Sequence, residues 1–426
     1  MLDTPRTKFD AVVIGAGVAG SAVATLLARA GWSVALIEKQ DFPRRKVCGE
    51  CVAASNMPLL QVLGVGNAFH ALAGPELRQV TLLQGSQSVT ADLPAADHER
   101  FPWGRALGRE TLDSLLLEQA QLAGVVLFQP WAVRRILGSA GAWHCEVRAV
   151  ESSTLLRLSA GVIVDAHGSW EDLPSMRSQR KLRRSAADLF AFKANFKGSS
   201  LSEGAIHVLA LDGGYGGMVV ADGGVTTIAC CIRRDRLSAL RCAAPGLRAG
   251  DAVESWLIQA CDGVRHALHG AVRDGPWLTS GPLDPGTRIT TSDAIFKVGN
   301  AAGEAHPILG EGMSMALQSA ALLASHLTGQ QQSAPVPDCV RQAVIAYRYA
   351  AAWRKEFVPR LRLASAFAHL SMHSATSALL MRLVDAWPAV LTQGARWGGK
   401  VRLPAMPDMP PMLPARAAAN SALTSL

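Results

Sequence analysis

Near the start of this 426-residue chain, Gly15, Gly17 and Gly20 stand in the spacing G-x-G-x-x-G, and Glu38 follows eighteen residues after the last of them. Glycine at these places permits a tight turn (Gly15), lets an anionic group approach bare backbone (Gly17) and allows close helix-to-strand packing (Gly20). A carboxylate at that distance can accept hydrogen bonds from both hydroxyls of a ribose. The chemistry implied is dinucleotide binding, and the acid favours a ribose without a 2′-phosphate, as in NAD or FAD.

Other residues could react rather than bind. Cys48 and Cys51 form C-x-x-C directly behind Arg44, Arg45 and Lys46, cations of the kind that depress a thiol pKa. Three roles stay open for the pair: contact with a cofactor, a dithiol–disulfide couple, or packing as small apolar residues. His306, ahead of Pro307, suits acid–base work on a substrate or hydrogen bonding that caps a turn. His167, ahead of Gly168, suits a phosphate contact or a strand-end turn. Glu311 reads as an acid at a helix N-terminus. Cys230 and Cys231 are neighbours in an extended run and face opposite ways, which does not suit a metal site.

The elements around these residues follow from hydrophobic patterning. Phe9 to Ile14 reads as a buried strand, Ser21 to Ala30 as a helix ending at Gly31, and Ser33 to Ile37 as a second strand, so the glycines sit in a βαβ unit. The uncharged run from Ala11 to Ala28 is a poor membrane span, since it contains three glycines within six positions. Ala294 to Val298 reads as another buried strand, followed by Gly299-Asn300-Ala301-Ala302-Gly303, by His306 to Gly312, and by a helix from Met313 to about Leu327. That helix would aim its positive end across Gly310 and Gly312 at a negatively charged ligand, such as the pyrimidine side of a reduced flavin. Between these blocks, Leu189 to Phe196, Ala205 to Leu211, Gly217 to Ala221 and Val225 to Ile232 read as strands of a largely antiparallel sheet, with Gly213 to Gly217 as a loop. Beyond Pro337 the pattern is helical, from Cys339 to about Val358 and from Arg360 to about Trp387, with Pro359 and Pro388 as breaks. Residues 403–426, rich in proline, are expected to be a disordered tail.

Composition narrows the classes. Lys and Arg total 42 against 34 Asp and Glu, and the excess lies in one place: residues 341–402 carry ten basic and two acidic side chains. The remainder is balanced, which argues against a nucleic-acid partner and directs any anionic partner, a carrier protein or an anionic membrane surface, to that segment. Eight cysteines are too few for a disulfide scaffold and fit a reducing, cytoplasmic setting, with peripheral membrane attachment as the variant. No metal site is expected.

Together the blocks resemble the flavoprotein superfamily that contains aromatic hydroxylases, flavin-dependent halogenases and geranylgeranyl reductases. The resemblance rests on Gly15 to Gly20 with Glu38, on Arg109-Glu110-Thr111-Leu112-Asp113 (the family's R-x-x-L-D), and on Gly299 to Gly312 (its G-D-A-A-G and P-x-x-G-E-G). Lys46-Val47-Cys48-Gly49-Glu50 is similar to the K-x-C-G-E loop of the geranylgeranyl-reductase-like branch. It implies FAD as the cofactor; no second G-x-G-x-x-G precedes a strand and helix, so NAD(P)H, if used, is expected to visit transiently as electron donor. It further implies that Arg109 contacts the FAD phosphates or ribityl chain, that Asn300 meets ribityl or ribose oxygens, and that Gly310 to Met313 lie against the flavin pyrimidine. Lys46 and Gly299 belong to the same cofactor set, and Cys48, Tyr215 and His306 are the candidate catalytic residues, Tyr215 lying in a segment similar to the family's G-G-Y. The chain departs from the family at Asn300, usually Asp, and at Ala166-His167-Gly168-Ser169, where the family has D-G.

The fold expected is α/β: a Rossmann-like FAD-binding domain (residues 8–183 and 273–330), an inserted antiparallel β substrate domain (184–272) and a basic helical C-terminal cap (338–402). The activity expected is oxygen-dependent oxidation of an apolar or aromatic small molecule of specialised metabolism, as a monooxygenase or oxidase. Reduction of prenyl-type double bonds and electron transfer without substrate turnover are the alternatives. Halogenation is disfavoured here by the lack of a W-x-W-x-I-P segment, to which Phe101-Pro102-Trp103-Gly104 is the nearest stretch.

Overall fold

The computed structural model describes residues 7–98, 100–169, 173, 185–329 and 336–400; the tail expected at 403–426 lies outside them. Lys8–Ile14 forms the buried centre of a seven-stranded sheet, flanked by Val34–Ile37 and Leu155–Asp165, both parallel to it. Val126–Phe128 lies outside Val34–Ile37, Ala142–Ala149 and Trp131–Ser139 extend the other edge antiparallel, and Phe296–Lys297 pairs parallel with the C-terminal end of Leu155–Asp165. Ile14, Ile37, Asp165 and Lys297 therefore end side by side, and the loops that leave them share one rim. The helix Val18–Arg29 is almost wholly buried because it lies between this sheet and the helices Arg109–Leu122 and Gly312–Thr328. The glycine and alanine content of its first turns permits that closeness.

A second, eight-stranded sheet runs Val272–Arg273, Leu189–Lys197, Thr226–Arg233, Gly214–Val220, Ala205–Leu211, Gln79–Gln84, Gln87–Asp92, with Leu278–Ser280 also on Leu189–Lys197. Three sequence expectations are corrected here. The hairpin at residues 79–92, placed by sequence in the cofactor lobe, belongs to this sheet, and Gln79–Gln84 pairs parallel with Ala205–Leu211. Its apolar positions Val80, Leu82 and Ala91 bury with Val208, Ala210 and Tyr215, a match that local pattern does not reveal. Residues 273–280, placed by sequence in the cofactor lobe, also join this sheet through Arg273 and Leu278–Ser280, while within 184–272 the helices Ala249–Ala260 and Asp262–Leu268 set Val253, Trp256, Leu257 and Val264 against the back of the strands. Gly214 to Gly217 are strand rather than loop, with Gly213 alone taking the positive φ of the turn.

The C-terminal region holds the fourth correction. Cys339–Ser371 is one helix with Pro359 inside it, not two helices broken there. A proline inside a helix costs about 3 kcal/mol. Trp353, Phe357, Leu361 and Ala364 are buried on one continuous face that runs past the proline. Each large apolar side chain contributes roughly 1.5–3 kcal/mol on burial, so packing outweighs the local penalty. Ser374–Ala386 and Ala389–Trp397 follow, separated at Pro388 as expected. Ala368, Met372, Leu380, Met381, Val384 and Leu391 then cover the front of the second sheet.

Candidate functional site

Between the two sheets and the C-terminal helices lies a cavity of about 950 Å³ that reaches from Gly15 and Glu38 at one end to Phe367 and Leu391 at the other. At the first end the glycines do what their spacing requires. Gly15 has φ +99°, and a Cβ there would stand 2.6 Å from the Ala166 carbonyl oxygen; one on Gly20 would stand 1.7 Å from that of Gly15. Gly17 differs, because a Cβ on it would enter open space, with the Arg109 and Arg44 guanidinium nitrogens nearest at 3.8 and 4.0 Å. Bare backbone at a helix start, faced by two guanidinium groups, is a cradle chemically suited to an anionic group such as a diphosphate.

The charges around the cradle are held in place. Arg109 makes a two-pronged pair with Asp113, both contacts at 2.8 Å. Burial opposes its charge, and the attraction and hydrogen bonds of Asp113 more than offset this, so the guanidinium holds its proton more tightly than usual. Arg44 donates to Glu38 at 3.1 Å, while its Nε is buried without a hydrogen-bond partner among the described residues. Such an orphan donor beside Gly17 fits an anionic ligand. Lys46 is pushed down to about 8, first by burial and then by Arg44 and Arg109. Glu38 accepts from the Ala16 N–H through Oε2 at 2.9 Å and from the Gln40 N–H through Oε1 at 3.0 Å. Those two contacts fix the carboxylate at the end of the strand Val34–Ile37, beside the start of the helix Val18–Arg29.

Farther in, Gly299 adopts φ +58°, where a Cβ would meet the Ala19 side chain at 2.9 Å. Asn300 donates to Ser169 Oγ at 2.7 Å, Ser169 donates to Glu304 at 3.0 Å, and Arg288 donates to both the Asn300 carbonyl (2.7 Å) and Glu304 (2.8 Å). Asn300 is thus anchored through its amide nitrogen, which leaves its side-chain oxygen for a ligand hydroxyl. His167 pairs with Asp165 at the strand end, in line with the strand-end reading, and its ring also lines the cavity. Gly310, at φ +63°, turns the chain into Gly312–Thr328, and Gly310, Gly312 and Met313 line the cavity.

The three candidate catalytic residues lie in or against this space. Tyr215 lines it, and its hydroxyl meets His306 Nδ1 at 3.2 Å. His306 makes no side-chain cap to the Pro307 turn, so the turn-capping alternative is set aside. Burial, reinforced by His369, lowers His306 to about 4, leaving it neutral near pH 7. Burial, with Cys231 adding, raises Tyr215 well above its ordinary value, so the phenol keeps its proton. Cys48 lines the cavity and its sulfur accepts from the Glu50 N–H at 3.4 Å. Burial drives Cys51 up to about 12, which makes it a poor nucleophile, and both thiols are free. Cys230 and Cys231 enter opposite cores, as adjacent strand residues must.

Sequence reasoning missed two charged groups. Lys193, only 2% exposed, reaches from the second sheet to Glu50, which also accepts from Thr227 and from the Arg109 N–H (3.0 Å). A lysine within the otherwise apolar Leu189–Phe196 run was the available signal. Lys400, the last of the described residues, lines the cavity and pairs with Glu311 at 3.1 Å; no local pattern marks it.

A βαβ diphosphate cradle joined by one cavity to a second glycine-flanked helix start defines a two-sheet flavoprotein. Residues 8–220, half of the chain, match the FAD binding domain family, and the protein belongs to it. The chain is 34% identical over 125 residues to the tryptophan 2-halogenase of Chondromyces crocatus, a stretch that is 29% of this chain and 23% of that enzyme. It therefore spans less than a quarter of that relative's length. Over 350 residues it is 25% identical to the 1H-pyrrole-2-carbonyl-(peptidyl-carrier protein) chlorinase of Pseudomonas fluorescens, covering 73% of this chain and 74% of the other. The myxobacterial chondrochloren halogenase CndH superposes with a TM-score of 0.70 over 92% of this chain and 91% of its own, at 19% identity, and so shares the fold. The family is one of FAD-dependent oxidoreductases.

Proposed function

We propose that this protein is an FAD-dependent monooxygenase or oxidase acting on an apolar or aromatic small molecule. The observation that carries the reading is the single cavity, cationic and glycine-lined at one end and walled at the other by Val80, Ile206, Val208, Phe367 and Leu391. In it, Gly15, Gly17 and Gly20 with Arg44, Lys46 and Arg109 hold the diphosphate and Glu38 the adenosine ribose. Asn300 and Gly299 take the ribityl chain, and Gly310, Gly312 and Met313 face the pyrimidine edge. FAD supplies two-electron chemistry with O₂, and NAD(P)H serves as a visiting donor. Tyr215 keeps its proton and, backed by neutral His306, presents a hydrogen bond to the substrate. Gly217, two residues along the same strand and lining the cavity, leaves room beside it for a flat or branched apolar group. The first sheet then serves as the cofactor lobe and the second as the substrate lobe.

No helix among the described residues is long and apolar enough to cross a membrane. Arg362, Arg382 and Arg396 are exposed in the basic C-terminal region, and a carrier-borne substrate, as in the Pseudomonas enzyme's name, supports an acidic carrier domain as the partner there. An anionic membrane surface is the competing partner, and binding to each at low and physiological salt separates them.

One observation favours a second reading, reduction of a prenyl-type double bond: Cys48, in the loop that resembles the reductase branch, lines the cavity. Anaerobic single turnover of photoreduced enzyme with candidate substrates decides. Reoxidation that requires O₂ and yields an oxygenated or dehydrogenated product supports the proposal. A product gaining two hydrogens without O₂ gives the second reading. A halogenated product formed only with bromide or chloride present replaces both.

A further inference from the structure

Four segments far apart in sequence converge behind the Gly310 to Gly312 turn. Ser55 donates from its backbone N–H to the Lys400 carbonyl (3.1 Å) and from its hydroxyl to the Gly399 carbonyl (2.8 Å). Gln318 accepts from Arg360 at 2.7 Å and donates to Asn56 at 3.0 Å, and Asn56 donates to Ser314 at 2.9 Å. Gly399 has φ +82°, and a Cβ there would collide with the Arg360 guanidinium at 2.5 Å. This buried polar network pins the end of the described chain so that the Lys400 ammonium enters the cavity. There it stands 3.4 Å from the Gly310 carbonyl and 3.1 Å from Glu311 Oε1.

Glu311 is fully buried, and its carboxylate would cancel the positive end of Gly312–Thr328 at the place where a reduced flavin carries its negative charge. Among the described residues, Lys400 at 3.1 Å and Arg360 at 3.9 Å are the cations in ion-pair range of it. Two cations against one carboxylate leave this corner at +1. We propose that Lys400 is the residue that sets the charge at the flavin pyrimidine edge, with Glu311 as its counterweight, so that the C-terminal segment tunes how strongly the flavin accepts an electron pair. The inference rests on the FAD reading above, with the pyrimidine against Gly310 to Met313.

Sulfite is a suitable probe on the oxidised holoenzyme. Its lone pair forms an S–N5 bond, and the displaced electron pair settles on N1 and the C2 carbonyl, so its affinity reports the charge at that edge without turnover. Lys400→Met is expected to weaken sulfite binding at least tenfold, which corresponds to a two-electron potential lower by about 30 mV. Lys400→Arg should stay within about threefold of wild type, and Glu311→Gln should bind sulfite more tightly. The opposite signs are decisive: both single variants break the same ion pair, so a latch that merely opened would move them in the same direction. Unchanged affinity in Lys400→Met, or weakening in both, overturns the inference. Should Lys400→Met fail to retain flavin, Glu311→Gln decides, tighter binding supporting the inference and equal or weaker binding overturning it. Wild-type protein that binds no FAD overturns the FAD reading itself, whereas bound FAD with unchanged sulfite affinity overturns this inference alone.

Discussion

Replacing Gly17 by Val tests the cradle with little disturbance to the rest. Gly17 caps Val18–Arg29 with φ −69° and ψ −174°, a conformation that any residue adopts. No atom stands closer than 3.8 Å to the Cβ it lacks. The apo fold should therefore lose no more than about 1 kcal/mol, the ordinary size of a point change without a cavity, clash or lost bond. The two methyl groups of valine would occupy the space between the backbone and the Arg44 and Arg109 guanidinium groups, where the diphosphate must sit. Hydrogen bonds to charged groups contribute about 1.5–3 kcal/mol each, so displacing two of them costs about 3–6 kcal/mol and weakens FAD binding by roughly 10²- to 10⁴-fold. Equilibrium dialysis of apoprotein against FAD gives the affinity, and thermal unfolding of the same apoprotein gives the stability. A variant that binds FAD stoichiometrically with wild-type affinity refutes the assignment of the cradle.

Three further outcomes are expected. Lys193→Met leaves the Glu50 carboxylate buried without its cation, and denaturant unfolding should show a loss of about 3–5 kcal/mol; adding Glu50→Gln should recover most of it, and no recovery would mean that the pair is not the cause. His306, lowered from 6.5 to about 4, is neutral in the fold where the unfolded chain takes up a proton, so its stabilisation is complete above about pH 6.5 and declines as pH falls toward 4. The decline amounts to about 3 kcal/mol, and His306→Asn should flatten that part of the stability profile; an unchanged slope would show that the other depressed histidines, His70, His207 and His326, account for it. Lys46, at about 8, should make FAD association by the apoprotein weaken as pH rises from 7 to 9. A Lys46→Met variant should lose that dependence, and its persistence would remove Lys46 from the phosphate site.

The local geometry of the glycine-rich turn in the candidate site was legible because the backbone itself imposes it. A tight turn, a close anion approach and a helix-to-strand contact each need glycine at a fixed interval, so Gly15, Gly17, Gly20 and Glu38 could be assigned roles from spacing. The strands ending near Ile14, Ile37 and Lys297 were readable as short apolar runs, whereas the strand Leu155–Asp165 that lies between two of them, and the rim they share, came from the sheet pairing. The charge of residues 341–402 was equally plain, because composition requires no geometry.

Tertiary structure decided what depends on partners distant in the chain. The residue 79–92 hairpin carries no local mark of its lobe, and only the apolar face of Ala205–Leu211 and Tyr215 assigns it to the second sheet. Pro359 is a local instruction to stop a helix, overridden because Trp353, Phe357 and Leu361 bury on one body. Cys51 sits behind three cations in sequence, yet burial, which sequence does not display, raises its pKa instead of lowering it. Lys193 stands out only as a lysine in an apolar run and Lys400 not at all, until Glu50 and Glu311 meet them across 143 and 89 residues of chain. Pairing between buried opposite charges is a long-range property, and no window of sequence contains both partners.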